Sequence, residues 1–240
     1  MTWLLSNKVK VKDSGLLEGF CDYHCHLLPG VDDGVQDMQD TLEILGRWEK
    51  AGVREVWLTP HIMDDVPNTP TDLRMRFEKV KTVYTGTIKL NLSAENMMDH
   101  LFIKRLANQD LLPIGKAGTH LLIETSYYTP PIDMKRIIDS VKESGYTPIL
   151  AHPERYLYMD ADDYGKWKQR GVWLQLNIPS LIGAYGQEVQ RRAERLLSKG
   201  MYDCCGTDTH TLKFAEDYVN SFIQKRTVMA IRQIIDKQFI

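Results

Sequence analysis

Short apolar runs alternate with longer amphipathic stretches along most of this chain of 240 residues. The apolar runs have the length and composition of buried strands, and they occupy residues 20–23, 55–59, 89–94, 120–124, 148–151, 172–177 and 202–205. The stretches between them predict helices over 38–51, 71–84, 98–108, 134–144, 162–170 and 187–199, with a last helix over 213–237. The chain is therefore predicted to alternate strands and helices from residue 20 onwards.

Glycines mark the ends of several predicted helices. Gly52, Gly145, Gly171 and Gly200 each fall just past a helical stretch, where a residue that tolerates a left-handed conformation is favoured. Strands that are each followed by a helix predict a parallel sheet. We expect an α/β fold in which seven strands close into a TIM-like (β/α)7 barrel, with an open doubly wound sheet as the alternative.

Length and composition limit the possible classes of protein. With 43% hydrophobic residues the chain can bury one good core, so residues 20–240 are expected to form one domain and residues 1–19 a polar, loosely held lead-in. Thirty basic and 32 acidic side chains argue against nucleic-acid binding and attachment to a membrane surface. No apolar run reaches the ~18–20 residues of a spanning helix, and residues 1–8 lack the apolar stretch of a signal peptide. We therefore expect a cytoplasmic protein, and the sequence leaves its oligomeric state open.

Two histidines at the end of the first predicted strand are the first sign of chemistry. His24 and His26 are two residues apart, so they project from the same face of a strand. Asp32 and Asp33 follow in a loop, where we expect Asp33 to be a metal ligand and Asp32 to form the turn. Two imidazoles and a carboxylate in one place are best explained by a divalent metal ion.

Similar residues recur at the ends of the later strands. Five of the seven histidines lie at or just beyond a strand end, whereas His100 and His120 do not and are expected to be structural or surface residues. The candidate metal ligands at strand ends are His24, His26, Asp33, His61, Glu95, Glu124, His152, Asp208 and His210. A barrel gathers the carboxyl ends of its strands at one face. Because buried unpaired charges are costly, the set predicts a centre with more than one metal ion.

The cysteines do not support a thiol-based enzyme. Cys21, Cys25, Cys204 and Cys205 form no Cys-x-x-Cys pair, and none is followed six residues later by the arginine that cysteine-based phosphatases require. Packing in the core is the simpler explanation for Cys204 and Cys205, which lie in a predicted strand.

Several of these segments together resemble the polymerase-and-histidinol-phosphatase (PHP) superfamily, and within it the bacterial CpsB/YwqE-type manganese-dependent protein-tyrosine phosphatases. The matching segments are His24-Cys25-His26, Val31-Asp32-Asp33-Gly34, Thr59-Pro60-His61, Ala94-Glu95, Ile123-Glu124, Ala151-His152-Pro153-Glu154-Arg155-Tyr156 and Thr207-Asp208-Thr209-His210. The resemblance runs from about Phe20 to the last helix, so it covers nearly the whole chain.

The resemblance implies a distorted seven-stranded barrel, the PHP fold, that holds three divalent ions. The implied ligand sets are His24, His26, Glu124 and Asp208 for one ion, Glu95, Glu124 and His152 for a second, and Asp33, His61 and His210 for a third. Glu124 would bridge the first two ions. Manganese is the expected metal, although sets of histidine and carboxylate ligands also accept iron and zinc.

The resemblance also implies a substrate. Members of the family act on phosphotyrosine in the tail of the bacterial tyrosine kinases that control capsule and exopolysaccharide export. Arg155 would hold the phosphate, and with Asp208 and His210 it makes up the expected catalytic set. The family often carries a second arginine in the loop after the last histidine, where this chain has Lys213 as the only cation. A lysine cannot form the bidentate contact of an arginine, so substrate preference could differ.

The expected reaction is hydrolysis of a phosphate ester by hydroxide that metal ions activate. A tyrosine phenolate, with a pKa of about 10, leaves with little need for a dedicated acid. Two alternatives stay open at this point. One is a small-molecule phosphatase such as histidinol-phosphate phosphatase, and the other is a non-catalytic metal-binding PHP module.

Overall fold

The structure is a computed structural model that describes residues 7–237. Residues 1–6 and 238–240, which include the start of the expected lead-in, lie outside the described residues. The strands are β1 (Lys8–Lys10), β2 (Cys21–Cys25), β3 (Glu55–Leu58), β4 (His61–Ile62), β5 (Lys89–Leu92), β6 (Glu95–Met97), β7 (His120–Glu124), β8 (Thr147–Leu150), β9 (Trp173–Asn177), β10 (Cys204–Gly206) and β11 (Phe222–Gln224). The helices are α1 (Met38–Lys50), α2 (Pro70–Val83), α3 (His100–Ala107), α4 (Met134–Glu143), α5 (Ala161–Gln169), α6 (Gln187–Ser198), α7 (Leu212–Asn220) and α8 (Lys225–Ile235).

Most of the strands belong to two parallel sheets. The larger sheet has the order β10-β9-β8-β7-β6-β4, and the smaller has the order β2-β3-β5. Every pairing in both sheets is parallel, as expected when strands are joined through helices. The α/β class and the parallel sheet, curved into a half-barrel, are confirmed.

Hydrogen bonds also join the two parallel sheets to each other. Only two residues separate β3 from β4 and β5 from β6, and the Glu95 N–H donates to the Pro60 carbonyl at 3.1 Å across these breaks. On the other side, the His26 N–H donates to the Thr209 carbonyl at 2.9 Å, and the Asp208 N–H to the His24 carbonyl at 2.7 Å. Strand β2 therefore lies beside β10, although the two are far apart in sequence.

An apolar cluster lies between the strands themselves, below their carboxyl ends. We call it the strand cluster, and its members are Cys21, Tyr23, Trp57, Ile114, Leu122, Ile149, Ala151 and Cys204. None of them lies on a helix, whereas the larger apolar cluster packs helices against the outer face of the sheets. The strand cluster thus fills the space directly below the candidate ligands.

An irregularity in β2 sets the direction of the first histidines. The pairing of β2 with β3 shifts register between Asp22 and Cys25. As a result Tyr23 packs in the strand cluster while Cys25 packs in the outer cluster, although regular alternation would put both on one face. The shift turns His24 and His26 towards the interior at the carboxyl end of the strand.

Two predictions about the ends of the chain are wrong. The helix expected over 213–237 is interrupted by β11, because Ile223 is buried and β11 pairs antiparallel with β1. The described part of the expected lead-in is not loosely held, since β1 supplies that pairing and Val11, Leu16 and Leu17 are buried. Within residues 7–237, every helix is too short or too polar to cross a bilayer.

Candidate metal centre

All nine candidate ligands lie at the carboxyl ends of the parallel strands. His24 is in β2 and Glu124 ends β7, whereas His61 begins the short β4 and Glu95 begins the short β6. The others follow strands in loops: His26 and Asp33 after β2, His152 after β8, and Asp208 and His210 after β10. The structure brings the whole set together, while His100 and His120 lie apart from it.

Glu95 is the central carboxylate of the group. Its Oε2 lies 3.0 Å from His24 Nε2, 3.2 Å from His26 Nε2 and 3.2 Å from His61 Nδ1. Its Oε1 lies 3.0 Å from His152 Nε2. Because one carboxylate faces four imidazoles, Glu95 has the position of a bridging ligand.

Glu124 lies further to one side. The imidazole nitrogens within 4.0 Å of its carboxylate are His61 Nδ1, at 2.9 Å, and His152 Nε2, at 4.0 Å. The family resemblance implied that Glu124 would join His24 and His26 and bridge two ions. In the structure Glu95 occupies that place, and Glu124 stands beside His61.

The outer part of the group is more open to solvent. Asp33 Oδ1 lies 3.5 Å from His61 Nε2 and 3.6 Å from His210 Nε2, and the Asp33 side chain is 71% exposed. The His26 and His210 rings stack with their centroids 3.9 Å apart. Asp33 is thus the candidate ligand at the entrance.

The donor atoms form three groups, in each of which they lie within 4.8 Å of one another. The groups are His26, Asp33, His61 and His210; His24, His26, Glu95 and Asp208; and His61, Glu95 and Glu124. In the third group the buried His61 Nδ1 lies 3.2 Å from Glu95 Oε2 and 2.9 Å from Glu124 Oε1, but none of these three atoms makes a contact with the geometry of a hydrogen bond. Buried polar atoms nearly always have a hydrogen-bond partner, so three potential ligand atoms without one in a single group are consistent with a bound cation. Nitrogen and oxygen donors without thiolate suit a metal such as manganese, iron or zinc.

Close backbone approaches hold this arrangement. A Cβ atom at Gly206 would lie 2.5 Å from the Cβ of His24, and one at Gly34 would lie 2.3 Å from the His26 carbonyl oxygen. Only glycine fits at these two points. His152 and Asp208 have positive φ angles of 33° and 53°, a conformation that costs free energy in residues other than glycine. Backbone strain therefore coincides with two of the candidate ligands.

Two residues that orient the histidines were not recognised from the sequence. Asp32, predicted only to form a turn, has a buried carboxylate whose Oδ2 accepts hydrogen bonds from His26 Nδ1 at 2.8 Å and from the His61 N–H at 2.9 Å. Gln175 Oε1 lies 2.7 Å from His24 Nδ1. Such contacts leave the Nε2 lone pair of each histidine for a metal. A lone buried amide between Leu174 and Leu176 was the available signal for Gln175.

The charges of the group depend on one another. Burial lowers the pKa of the His24 imidazole, but the Glu95 and Asp208 carboxylates outweigh it and raise that pKa to about 9. Burial raises the pKa of Glu95, but His24 and the other imidazoles bring it well below its ordinary value. In the absence of a cation the His24 imidazole therefore holds its proton more tightly than an ordinary histidine, and a metal ion bound here would replace that proton.

Arg155 lines a cavity of about 410 Å³ together with several of the candidate ligands. Its Nη1 donates to Asp208 Oδ2 at 2.7 Å, and its side chain is 17% exposed. Tyr127, Tyr185 and Phe214 are the aromatic residues of the cavity wall. Tyr185 and Phe214 were not recognised from the sequence, because an aromatic residue carries no signal of its own and Tyr185 also lies far from the ligand motifs.

Other polar residues near the motifs have different roles. Glu154, which could have paired with Arg155, is fully buried and accepts hydrogen bonds from Tyr202 Oη at 3.0 Å and from the Asn177 N–H at 3.1 Å. Lys213 Nζ donates to Asp217 Oδ1 at 2.5 Å on the surface. Arg155 is therefore the cation that lines the cavity among the described residues.

Comparisons with known proteins identify a family for this chain. A family model described as "Capsular polysaccharide synthesis, CpsB/CapC" matches residues 20–228. Tyrosine-protein phosphatase YwqE of Bacillus subtilis is 26% identical over 198 residues, which cover 80% of this chain and 78% of that protein. Tyrosine-protein phosphatase CpsB of Streptococcus agalactiae is 24% identical over 210 residues, which cover 80% of this chain and 83% of that protein.

The fold is also similar to a solved structure. It comes from a study of YwqE from Bacillus subtilis and CpsB from Streptococcus pneumoniae, described there as unique metal-dependent tyrosine phosphatases. The match has a TM-score of 0.74 at 24% identity and covers 91% of this chain and 87% of the other. At this identity the match supports the fold.

Proposed function

Since the chain belongs to the CpsB/CapC family, we propose that it is a metal-dependent protein-tyrosine phosphatase. The observation that carries the proposal is the trio of buried, unsatisfied donor atoms on His61, Glu95 and Glu124, next to a cavity that Arg155 lines. A cation site beside a fixed guanidinium is what hydrolysis of a phosphate ester requires.

Three divalent ions, with manganese as the expected metal, are part of this proposal. Each of the three donor groups could hold an ion, and His26, His61 and Glu95 each belong to two of the groups. Their geometry favours a different assignment of the carboxylates from the one the resemblance implied. Glu95, rather than Glu124, would accompany His24, His26 and Asp208 and bridge to a second ion, which Glu124 would hold with His61.

Bound divalent ions would acidify water to supply the nucleophile and would offset charge on the phosphoryl oxygens. The chain's own residues would do the rest. Arg155 would donate hydrogen bonds to the phosphate oxygens, and Asp208 would hold Arg155 through Oδ2 while its Oδ1 faces the ions. His210, 26% exposed beside Asp33, would stand at the entrance. Burial would exclude bulk water from the reacting phosphate.

The finer features of the fold belong to the same proposal. Counting β3 with β4 and β5 with β6 as single interrupted strands gives seven parallel strands, in line with a distorted seven-stranded PHP barrel. Residues 20–240 would form the phosphatase unit, and residues 1–19 a segment attached to it. We further propose a cytoplasmic enzyme whose substrate is the phosphotyrosine tail of a bacterial tyrosine kinase.

The test compares three conditions on one protein. Hydrolysis of p-nitrophenyl phosphate is measured as purified, after EDTA, and after EDTA followed by manganese. We expect loss of turnover with EDTA and recovery with manganese, with elemental analysis reporting the ions bound. Absence of metal-dependent turnover would favour a non-catalytic metal-binding module.

Substrate class is tested on the active protein. A phosphotyrosine peptide and histidinol phosphate are compared by kcat/KM under the same metal conditions. We expect the peptide to be the better substrate, because the aromatic wall of the cavity suits an aryl group. Preference for histidinol phosphate would instead identify a small-molecule phosphatase.

A further inference from the structure

We infer that Tyr127 and Tyr185 are positioning residues that clamp Arg155 in the orientation needed to bind the substrate phosphate. The inference rests on the proposed function, since it concerns the phosphate-binding residue of that site. Tyr127 follows β7 and Tyr185 precedes α6, so the two rings come from segments that are far apart in the sequence.

The guanidinium lies between two tyrosine rings. Arg155 Cζ is 4.3 Å from the centroid of the Tyr127 ring and 4.2 Å from that of the Tyr185 ring. Each distance is well inside the range of a cation–π contact, and a planar guanidinium is the cation best suited to stack on an aromatic ring. Two such contacts on one side chain leave it little rotational freedom.

A hydrogen bond to Asp208 fixes the Arg155 guanidinium in its position between the two tyrosine rings. Its Oδ2 accepts from Arg155 Nη1 at 2.7 Å and from Asn177 Nδ2 at 3.0 Å. The Tyr185 hydroxyl lies 3.4 Å from the same oxygen and accepts from Asn177 Nδ2 at 3.2 Å. Tyr185 therefore supports the arginine with its ring and the arginine's partner with its hydroxyl.

This arrangement leaves one part of the guanidinium for a ligand. Within the described residues, Asp208 is the acceptor that Arg155 bonds, and it uses Nη1. The Nε and Nη2 hydrogens remain for an anion in the cavity that Arg155 lines with both tyrosines. An arginine held in place before the anion arrives loses less conformational entropy on binding, which increases affinity.

The test uses the manganese-loaded protein and two readouts of anion binding. We measure KM and kcat for p-nitrophenyl phosphate, and the affinity for inorganic phosphate by calorimetry, in Tyr127→Leu and Tyr185→Leu. Each variant should weaken phosphate binding by about tenfold and raise KM in parallel, with kcat and metal content nearly unchanged. Tyr127→Phe and Tyr185→Phe keep the rings and should stay within about threefold of the original protein.

A double-mutant cycle separates positioning from direct contact with substrate. In an Arg155→Ala background, the leucine substitutions should weaken phosphate binding no further, because there is no guanidinium left to hold. Arg155→Lys, which removes the planar group, should bind phosphate nearly as weakly as Arg155→Ala. Tyr158→Leu is the matched control, since this half-buried tyrosine stacks on Tyr156 rather than on Arg155. It should leave phosphate affinity unchanged.

Several outcomes would overturn the clamp. They are unchanged phosphate affinity in both leucine variants, an equal loss in the Arg155→Ala background, or full affinity in Arg155→Lys. If the leucine variants do not fold, the phosphate affinity of Arg155→Lys still tests the clamp. Failure of the proposed function is a separate result. The protein would then not hydrolyse p-nitrophenyl phosphate at all, while calorimetry with phosphate would still report on the clamp.

Discussion

The two ends of the parallel strands differ in what they bury, and β7 has an example of each. His120 begins this strand, half-exposed, with its ring centroid 4.7 Å from that of Trp173. Glu124 ends the same strand with a carboxylate that is buried among imidazoles. Between them Leu122 packs in the strand cluster. In β7 apolar packing therefore stabilises the fold below the strand end, whereas the carboxyl end holds a charge that neighbouring imidazoles or a bound cation must balance.

Because of this difference, substitutions at the carboxyl ends and in the strand cluster should change different properties of the protein. Charge at the carboxyl ends of the strands would serve the binding of cations, because a buried ion pair as a whole contributes little to stability after its desolvation cost. Apolar packing in the strand cluster serves stability, because it is worth about 25 cal/mol for each square ångström buried. Substitutions on either side should therefore change either metal binding or stability.

The largest effect is expected from Glu95→Gln. Removing the charge of the central carboxylate should reduce turnover to background and lower the manganese content measured by elemental analysis. Glu124→Gln should lose less metal, because Glu124 faces His61 and only distantly His152. Glu55→Gln is the control, since Glu55 begins β3 at the opposite end and bonds Lys89 and Asn91. It should keep both metal and turnover. Greater metal loss in Glu124→Gln would restore the assignment implied by the family resemblance.

Leu122→Ala should have the next largest effect, on stability. The cavity left in the strand cluster should lower the free energy of unfolding by about 2–5 kcal/mol. Urea unfolding of the metal-free protein measures this. Under conditions where the variant is folded, its metal content should match that of the original protein. A loss of metal from the folded variant would show that the two ends are not separable.

Asp32→Asn tests whether Asp32 orients His26 and His61 for metal binding. Both carboxylate oxygens of Asp32 are acceptors, since Oδ2 accepts from His26 Nδ1 and the His61 N–H and Oδ1 accepts from the Gly34 N–H at 3.0 Å. An amide has only one oxygen and would place an NH2 group against a donor, so metal affinity should fall by about 10–100-fold. Competition with a chelator measures the affinity. Asp37→Asn is the control, because the exposed Asp37 side chain makes no capping hydrogen bond to α1. Equal affinities in the two variants would mean that Asp32 only forms the loop.

The smallest effect is expected at His120 and depends on pH. Burial lowers the pKa of this imidazole below its ordinary value of about 6.5. Below that pH the unfolded chain binds a proton that the folded chain does not, so stability is lost as the pH falls through the folded pKa. The free energy of unfolding should decrease less between pH 7 and pH 5 in His120→Gln than in the original protein. Identical curves would show that His120 titrates normally.

Much of the fold could be predicted from the sequence because its signals are local. Apolar runs and helix-ending glycines depend on neighbouring residues, and they were enough for the α/β class and the parallel sheet. The strand-end position of residues such as His61 and His152 likewise predicted which side chains meet. Their roles as ligands stay a prediction.

The remainder depends on contacts between distant segments. The register shift in β2 arises from pairing with β3, and the strand β11 exists because β1 lies beside it. The central place of Glu95 follows from how β6 sits between β4 and β7. Asp32 looked like a turn residue because its partners His26 and His61 come from different strands. Spacing along the chain carries none of this information.

The bonds between β2 and β10 also limit when the centre can form during synthesis. Asp22 accepts hydrogen bonds from the Thr207 N–H and hydroxyl, 185 residues further along the chain. A ribosome adds roughly 5–20 residues per second, so the first histidines wait on the order of tens of seconds for Asp208 and His210. A nascent chain shorter than 210 residues therefore cannot assemble the full set of candidate ligands. We expect that a metal ion which needs this full set would bind only after His210 has been added.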